Sequence, residues 1–178
     1  MSDIEVTGRP VYRERTGLKK KYHLTRKDKE ITDRNKIEEL LRGCRLAFIS
    51  ICSAGEPYIV TMNYGYDPDH RALYFHCALK GHKLEIIREN PAACVFIFHD
   101  NGYVDGKCEH KYQSLVIRGN LAIVDTFEEK KYGIDILMDH QESDSEDVRK
   151  RNFKEDTDYD IFNMIRFDIE DITGKENL

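Results

Sequence analysis

The sequence predicts a mainly β fold, a closed or split barrel with peripheral helices. Three observations point to it. Short β-rich runs follow one another with turn signals between them, and helical periodicity is confined to a few stretches. Gly119 stands inside a long β-rich run, where a barrel corner needs a bend or bulge. At 178 residues the chain suits one domain with a real core.

Residues 1–30 are polar and aperiodic, and they read as a basic N-terminal arm ahead of a domain spanning 31–178. The arm holds nine Lys/Arg against five Asp/Glu, so it carries +4 on a chain whose net charge is −5. Its large anchors are Tyr12, Leu18, Tyr22 and Leu24. Thr32 is expected to cap a helix over Asp33 to Arg42, with Gly43 ending it. Ile37, Leu40 and Leu41 give that helix one apolar face. Leu46 to Cys52 is nearly continuous in apolar residues, which predicts a strand buried on both sides. Ser53-Ala54-Gly55-Glu56 turns it into a second strand, Tyr58 to Tyr64. Asp67-Pro68-Asp69 is the next turn, and Ala72 to Cys77 the third strand of an expected antiparallel meander.

Gly81-His82-Lys83 then opens a helix from Leu84 to Asn90, which Pro91 stops. Ala93 to Phe98 is a further apolar strand, and its partner is Ser114 to Val124. His99 to Lys111 between them reads as a loop. Thr126 and Glu129 form a capping-box pattern for a helix through His140, with Ile134, Leu137 and Met138 facing inward. Gln141 to Asp160 reads as a charged, exposed connection, and Ile161 to Ile169 as the closing strand.

Composition narrows the function classes. Five cysteines, an odd number without repeated C-x-x-C spacing, make no disulfide framework and suit reduced cytosolic thiols. Cys77, Cys94 and Cys108 with His99 and His110 match no zinc spacing, so no metal site is expected. No apolar run reaches membrane-span length, and the charged start is no secretory signal. A soluble cytoplasmic protein without membrane attachment is the expectation. The basic arm fits packing on the body or on a second subunit better than nucleic acid, since no recognition helix or RNA-binding aromatic pattern accompanies it.

The helix start at Gly81-His82-Lys83 has the makings of a phosphate seat. Its first amide N–H groups lack partners within the helix, its dipole is positive there, and Lys83 adds a full charge. The alternative is a solvated helix start with an ordinary lysine. His76, alone on a strand, is open to two readings: a structural histidine bonded to a carbonyl, or an acid at a reaction centre.

The order Pro57-Tyr58, Asn63-Tyr64, Tyr74-Phe75-His76-Cys77-Ala78, Gly81-His82-Lys83-Leu84 and Asn90-Pro91 resembles the pyridoxamine-phosphate-oxidase-like split-barrel proteins. Within that family it looks most like the nitroimidazole-reductase-like branch. Tyr112-Gln113-Ser114-Leu115-Val116 and Gly119 extend the resemblance. It implies a six-stranded antiparallel Greek-key barrel that binds FMN in clefts between the two subunits of a homodimer. It further implies that Gly81, His82, Lys83, Gln113 and Ser114 hold the phosphate. Thr61, Met62, Asn63 and Tyr64 would edge the ring, Asn63 and Tyr64 through their side chains as well. His76, Cys77 and Ala78 would lie close to the flavin, with His76 as the candidate proton donor. The family usually has arginine where His82 stands. The implied activity is transfer of electrons from a reduced nicotinamide cofactor to a small acceptor such as a nitroaromatic. A non-catalytic flavin- or haem-binding protein is the alternative. True pyridoxamine-phosphate oxidase activity ranks lower, because Phe167 to Lys175 lacks the Arg-x-His segment of those enzymes.

Overall fold

A computed structural model of the chain describes residues 24–178, so the anchors expected at Tyr12, Leu18 and Tyr22 lie outside the described residues. After a short 3-10 turn at Lys27–Lys29 comes β1 (Glu30–Ile31), then α1 (Arg34–Gly43), β2 (Leu46–Ser53), β3 (Glu56–Asn63), β4 (Gly65–Asp67) and β5 (Ala72–Cys77). There follow α2 (His82–Glu89), β6 (Ala92–Val104), β7 (Glu109–Ile123), α3 (Phe127–Gln141), α4 (Ser145–Asn152) and β8 (Asn163–Asn177). Asp33 rather than Thr32 caps α1, accepting from the Asn35 N–H at 2.9 Å, and the helix runs through Gly43.

All strands share one antiparallel sheet in the order β3-β2-β6-β7-β8-β5-β4, with β1 added along β8. Six strands are long and two are short, so the expected six-stranded barrel gains two small pieces. The meander expected of the first three long strands is absent. β5 pairs with β8, and its hairpin partner is the short β4. Turn chemistry correctly placed the bend after Asp67, but strand order depends on contacts that β5 makes some ninety residues downstream.

The sheet closes through the chain itself. β3 forms one end of the strand order and β4 the other, and only Tyr64 separates them. Its ring is fully buried beside Phe75, and its hydroxyl donates to the Leu41 carbonyl at 2.8 Å. Inside lie Ile49, Leu73, Phe75, Val95, Ile97, Leu115, Ile117 and Phe167, all nearly inaccessible. A second apolar cluster, with Tyr74, Leu137, Tyr159 and Phe162, seats α3 on the outside of β5 and β8.

Four other expectations change. β2 is not buried on both faces: Ala47, Ile49 and Ile51 point inward while Leu46 and Phe48 are exposed. The 99–111 stretch is mostly strand, since β6 and β7 run on past the barrel and turn only around Asp105 to Cys108. The 141–160 connection contains α4 and leads into a 3-10 segment, Asp156–Ile161. The closing strand runs from Asn163 to Asn177, because its C-terminal half has β7 and β1 to bond to.

The bend at Gly119 is where expected. Register between β7 and β8 shifts at Arg118/Gly119, and a Cβ on Gly119 would lie 1.9 Å from the Asp168 carbonyl oxygen. Thr126 caps α3 by accepting from the Glu129 N–H, but the Glu129 carboxylate turns to Arg166 instead of completing the box.

Candidate functional site

The start of α2 is built to face outward. Gly81 precedes it with φ +151°, a conformation that a residue with Cβ rarely adopts, and the space in front of its Cα is open. No side chain caps this end, so the His82 and Lys83 N–H groups are available, while that of Leu84 donates to the Gly81 carbonyl at 2.9 Å. Leu84, Ile86 and Ile87 anchor the other face in the core. His82 is exposed, with its ring edge-on to Tyr58 at 5.3 Å and Nδ1 3.3 Å from a Glu85 oxygen. Lys83 is half-buried.

The charge of Lys83 is also felt at the end of β5. Burial first, and the positive charge of Lys83 second, hold the His76 pKa below its ordinary value, so the imidazole is neutral at pH 7. Burial raises the Cys77 thiol while Lys83 opposes the rise. Cys77 is thus an inert inward-facing thiol, and His76 is the outward-facing member of the pair. Phe162 stands edge-on to the His76 ring at 6.3 Å, and the exposed Ala78 and Leu79 continue the rim. Asn163 ties this corner down by donating to the Leu79 carbonyl at 3.0 Å.

Among the described residues β3 pairs with β2 alone, so its other edge presents unpaired N–H and C=O groups at regular spacing. Thr61 and Asn63 are exposed on it and Met62 is half-buried. Tyr64 departs from its expected role. Its ring belongs to the core, where burial pushes the phenol pKa well above its usual value, and no side-chain contact to a ligand on the rim is open to it. The Asn63 amide donates to Gln141.

Gln113 and Ser114 fall elsewhere. Thr61, Phe48, Phe96 and Val116 form one row across four strands, and Ser114 lies two residues along β7 from that row. At about 4.8 Å per strand, β7 is about 14 Å from β3. Ser114 approaches the Lys175 carbonyl at 3.5 Å, and Gln113 donates to Glu176 at 3.2 Å. This second cluster borders a groove of about 490 Å³ whose lining includes Leu24, Arg26, Phe96, Phe98, Tyr112 and Lys175. One chain therefore gathers Thr61, Met62, Asn63, His76, Ala78, Gly81, His82 and Lys83 around one rim, turns the Cys77 side chain into the core, and holds Gln113 and Ser114 apart.

Two residues at this rim escaped the sequence reading. Phe162 sat in a stretch read as an ordinary closing strand, and Gln141 in one read as an exposed connection. Neither has a local signal, because each meets its partner across the fold.

An antiparallel barrel with a bare strand edge, an open helix start and a flanking cation defines a class of split-barrel proteins suited to a phosphate-bearing planar ligand. The chain belongs to the pyridoxamine 5'-phosphate oxidase family, whose sequence model matches residues 33–176. Among solved structures it is similar to a candidate 5-nitroimidazole antibiotic resistance protein from Bacteroides thetaiotaomicron. Identity there is 27%, with 83% of this chain and 86% of that one covered at a TM-score of 0.70. An FAD and heme binding protein from Mycobacterium smegmatis is 17% identical, with 84% and 73% covered at 0.66. An FAD-binding protein from Mesorhizobium loti is 21% identical, with 81% and 93% covered at 0.58. No relative was found among curated proteins. Among the described residues no helix is long and apolar enough to cross a membrane.

Proposed function

We propose that the chain binds FMN and transfers electrons from a reduced nicotinamide cofactor to a small acceptor such as a nitroaromatic. The observation that supports this best is the convergence on one rim of the α2 start, Lys83, His76 and the bare edge of β3. FMN, when bound, supplies a ring that accepts hydride and passes electrons onward.

The residues present fit such a ligand. Lys83 and the leading N–H groups of α2 would hold the phosphate, and the exposed His82 adds a donor. Glu85 is the group nearby that disfavours an anion, and its carboxylate lies 3.3 Å from His82 Nδ1. The β3 edge from Thr61 to Asn63 would orient the heterocycle through backbone hydrogen bonds. A neutral His76 keeps one ring N–H to donate and one nitrogen to accept, which suits a relay that takes a proton from water at one nitrogen as it gives one to the reduced ring or the acceptor from the other.

The same reading makes the protein a homodimer with FMN at the subunit interface. Phe48, Phe96, Phe98 and Tyr112 form a ladder of ring contacts 5.9–6.2 Å apart on the outer face of the sheet. Phe48 and Phe98 are 39% and 38% exposed, enough apolar surface for a second copy to cover. Gln113 and Ser114 would then serve the flavin held on the partner's rim. The likeness to the Bacteroides thetaiotaomicron structure supports a nitro-group acceptor.

A visible spectrum of the purified protein, followed by mass spectrometry of the heat-released ligand, tests this. The expected result is a flavin spectrum, FMN on release, and bleaching by NADH or NADPH that nitroaromatic addition reverses. A colourless protein that takes up no added FMN would overturn it. A haem band would move His76 to the role of axial ligand, for which a neutral imidazole is suited.

A further inference from the structure

At Tyr64 the chain leaves one end of the sheet for the other, and the ladder stops. Two consecutive residues at the end of α3 take over its hydrogen bonds. His140 donates from Nε2 to the Cys44 carbonyl at 2.7 Å and accepts from the Tyr66 N–H at Nδ1, 3.2 Å away. A carbonyl only accepts and an amide N–H only donates, so this pair of contacts assigns His140 the neutral Nε2–H tautomer. Gln141 donates to the Tyr64 carbonyl at 2.8 Å and to the Arg45 carbonyl at 3.0 Å. Its oxygen accepts from the Asn63 amide at 3.0 Å.

We propose that His140 and Gln141 are positioning residues for the cofactor site, setting the orientation of the ring-edging segment that ends at Asn63 and Tyr64. The inference rests on the flavin reading above. β3 has a ladder on one side only, and it ends where Asn63 pairs with Leu46, so nothing in the sheet fixes the step to Tyr64 beyond it. The clamp does. Both amide N–H donations and the acceptance by Gln141 are engaged, which leaves its side chain no alternative rotamer that keeps them. The His140 ring lies 4.7 Å from the Tyr64 ring and locks the same residue from its side chain. α3 comes close enough to do this because Gly65 has no side chain: a Cβ there would lie 2.5 Å from the Leu137 backbone.

The test compares FMN and riboflavin titrations of the wild type with those of Gln141→Ala and Lys83→Ala. Riboflavin has the ring but no phosphate. For Gln141→Ala the expected result is about tenfold weaker binding of both ligands. The absorption bands of the saturated flavin should also shift, since hydrogen bonds at the ring edge tune them. Lys83→Ala should weaken FMN alone and leave the bands in place. Should Gln141→Ala fail to fold, Gln141→Glu is measured instead, because it keeps the acceptor for Asn63 and loses both donations. A wild type that binds FMN beside a variant with unchanged affinity would overturn the positioning role and leave the flavin reading standing. Weaker binding without a band shift would also overturn it, since that marks a merely structural loss. A wild type that takes up neither ligand would overturn the flavin reading and this inference with it.

Discussion

The segment from Glu56 to Asp67 is one run of strand-forming residues with two opposite fates. Its first part, β3, lies on an edge, and Ile59 there is 64% exposed. Its last part, β4, is sealed under α3: Gly65 is buried against the Leu137 backbone and Asp67 is 1% exposed. The Asp67 carboxylate is fully engaged, accepting from the Asp69 and His70 N–H groups and the Tyr132 hydroxyl. Burial first, and the hydrogen bond to the Asp67 carboxylate with its charge second, push the Tyr132 phenol up to about 12. A ligand needs backbone groups that are still unpaired, whereas stability needs them paired. α3 covers one half of the segment and leaves the other, so a single strand serves both ends.

The largest expected effect sharpens that contrast directly. Gly65→Ala should cost about 1–3 kcal/mol, because its Cβ meets helix backbone that cannot rotate away. Ile59→Thr on the bare half should change stability by less than about 0.5 kcal/mol. Urea denaturation of both variants checks this, and equal losses would erase the distinction between the halves.

Next come the groups on the rim, where function should suffer and stability should not. Lys83→Ala should weaken FMN binding by tenfold or more, the scale of one charge-assisted hydrogen bond, with an unchanged melting temperature. His76→Ala should keep the flavin and slow acceptor reduction about 100-fold, the low end for a lost proton-transfer group. A His76→Ala protein with wild-type turnover returns this residue to a structural role.

The smallest effect is a pH dependence shared by both regions. Burial lowers the pKa of His140, as it does that of His76, below the ordinary 6.5. The folded state thus binds fewer protons than the unfolded state in this range, so stability rises with pH. This contribution is full above pH 6.5 and declines as the pH falls below it. Protonation would place a second N–H of His140 against the Tyr66 N–H. Urea midpoints between pH 7.5 and 5.5 should fall by an amount that His140→Ala reduces.

Much of this molecule was legible in its residues. Gly81-His82-Lys83 announced an open helix start because glycine and a following cation act locally. Thr126 announced a cap, and Gly119 a bend, for the same reason. Leu46 to Cys52 was misread, since an apolar run does not say which of its side chains a sheet leaves outside. The 99–111 stretch was misread because glycine-rich sequence can still extend a hairpin when two strands support each other.

What the sequence by itself determined is the six long strands and the starts of α2 and α3, which follow from interactions within a few residues. The tertiary structure alone decided that β5 pairs with β8, that Tyr64 turns into the core, and that Gln113 and Ser114 stand apart from Lys83. It also decided that His140 and Gln141 hold the end of β3. Each of these depends on backbone groups finding partners far along the chain, and no local pattern records which partner a buried N–H or C=O will meet.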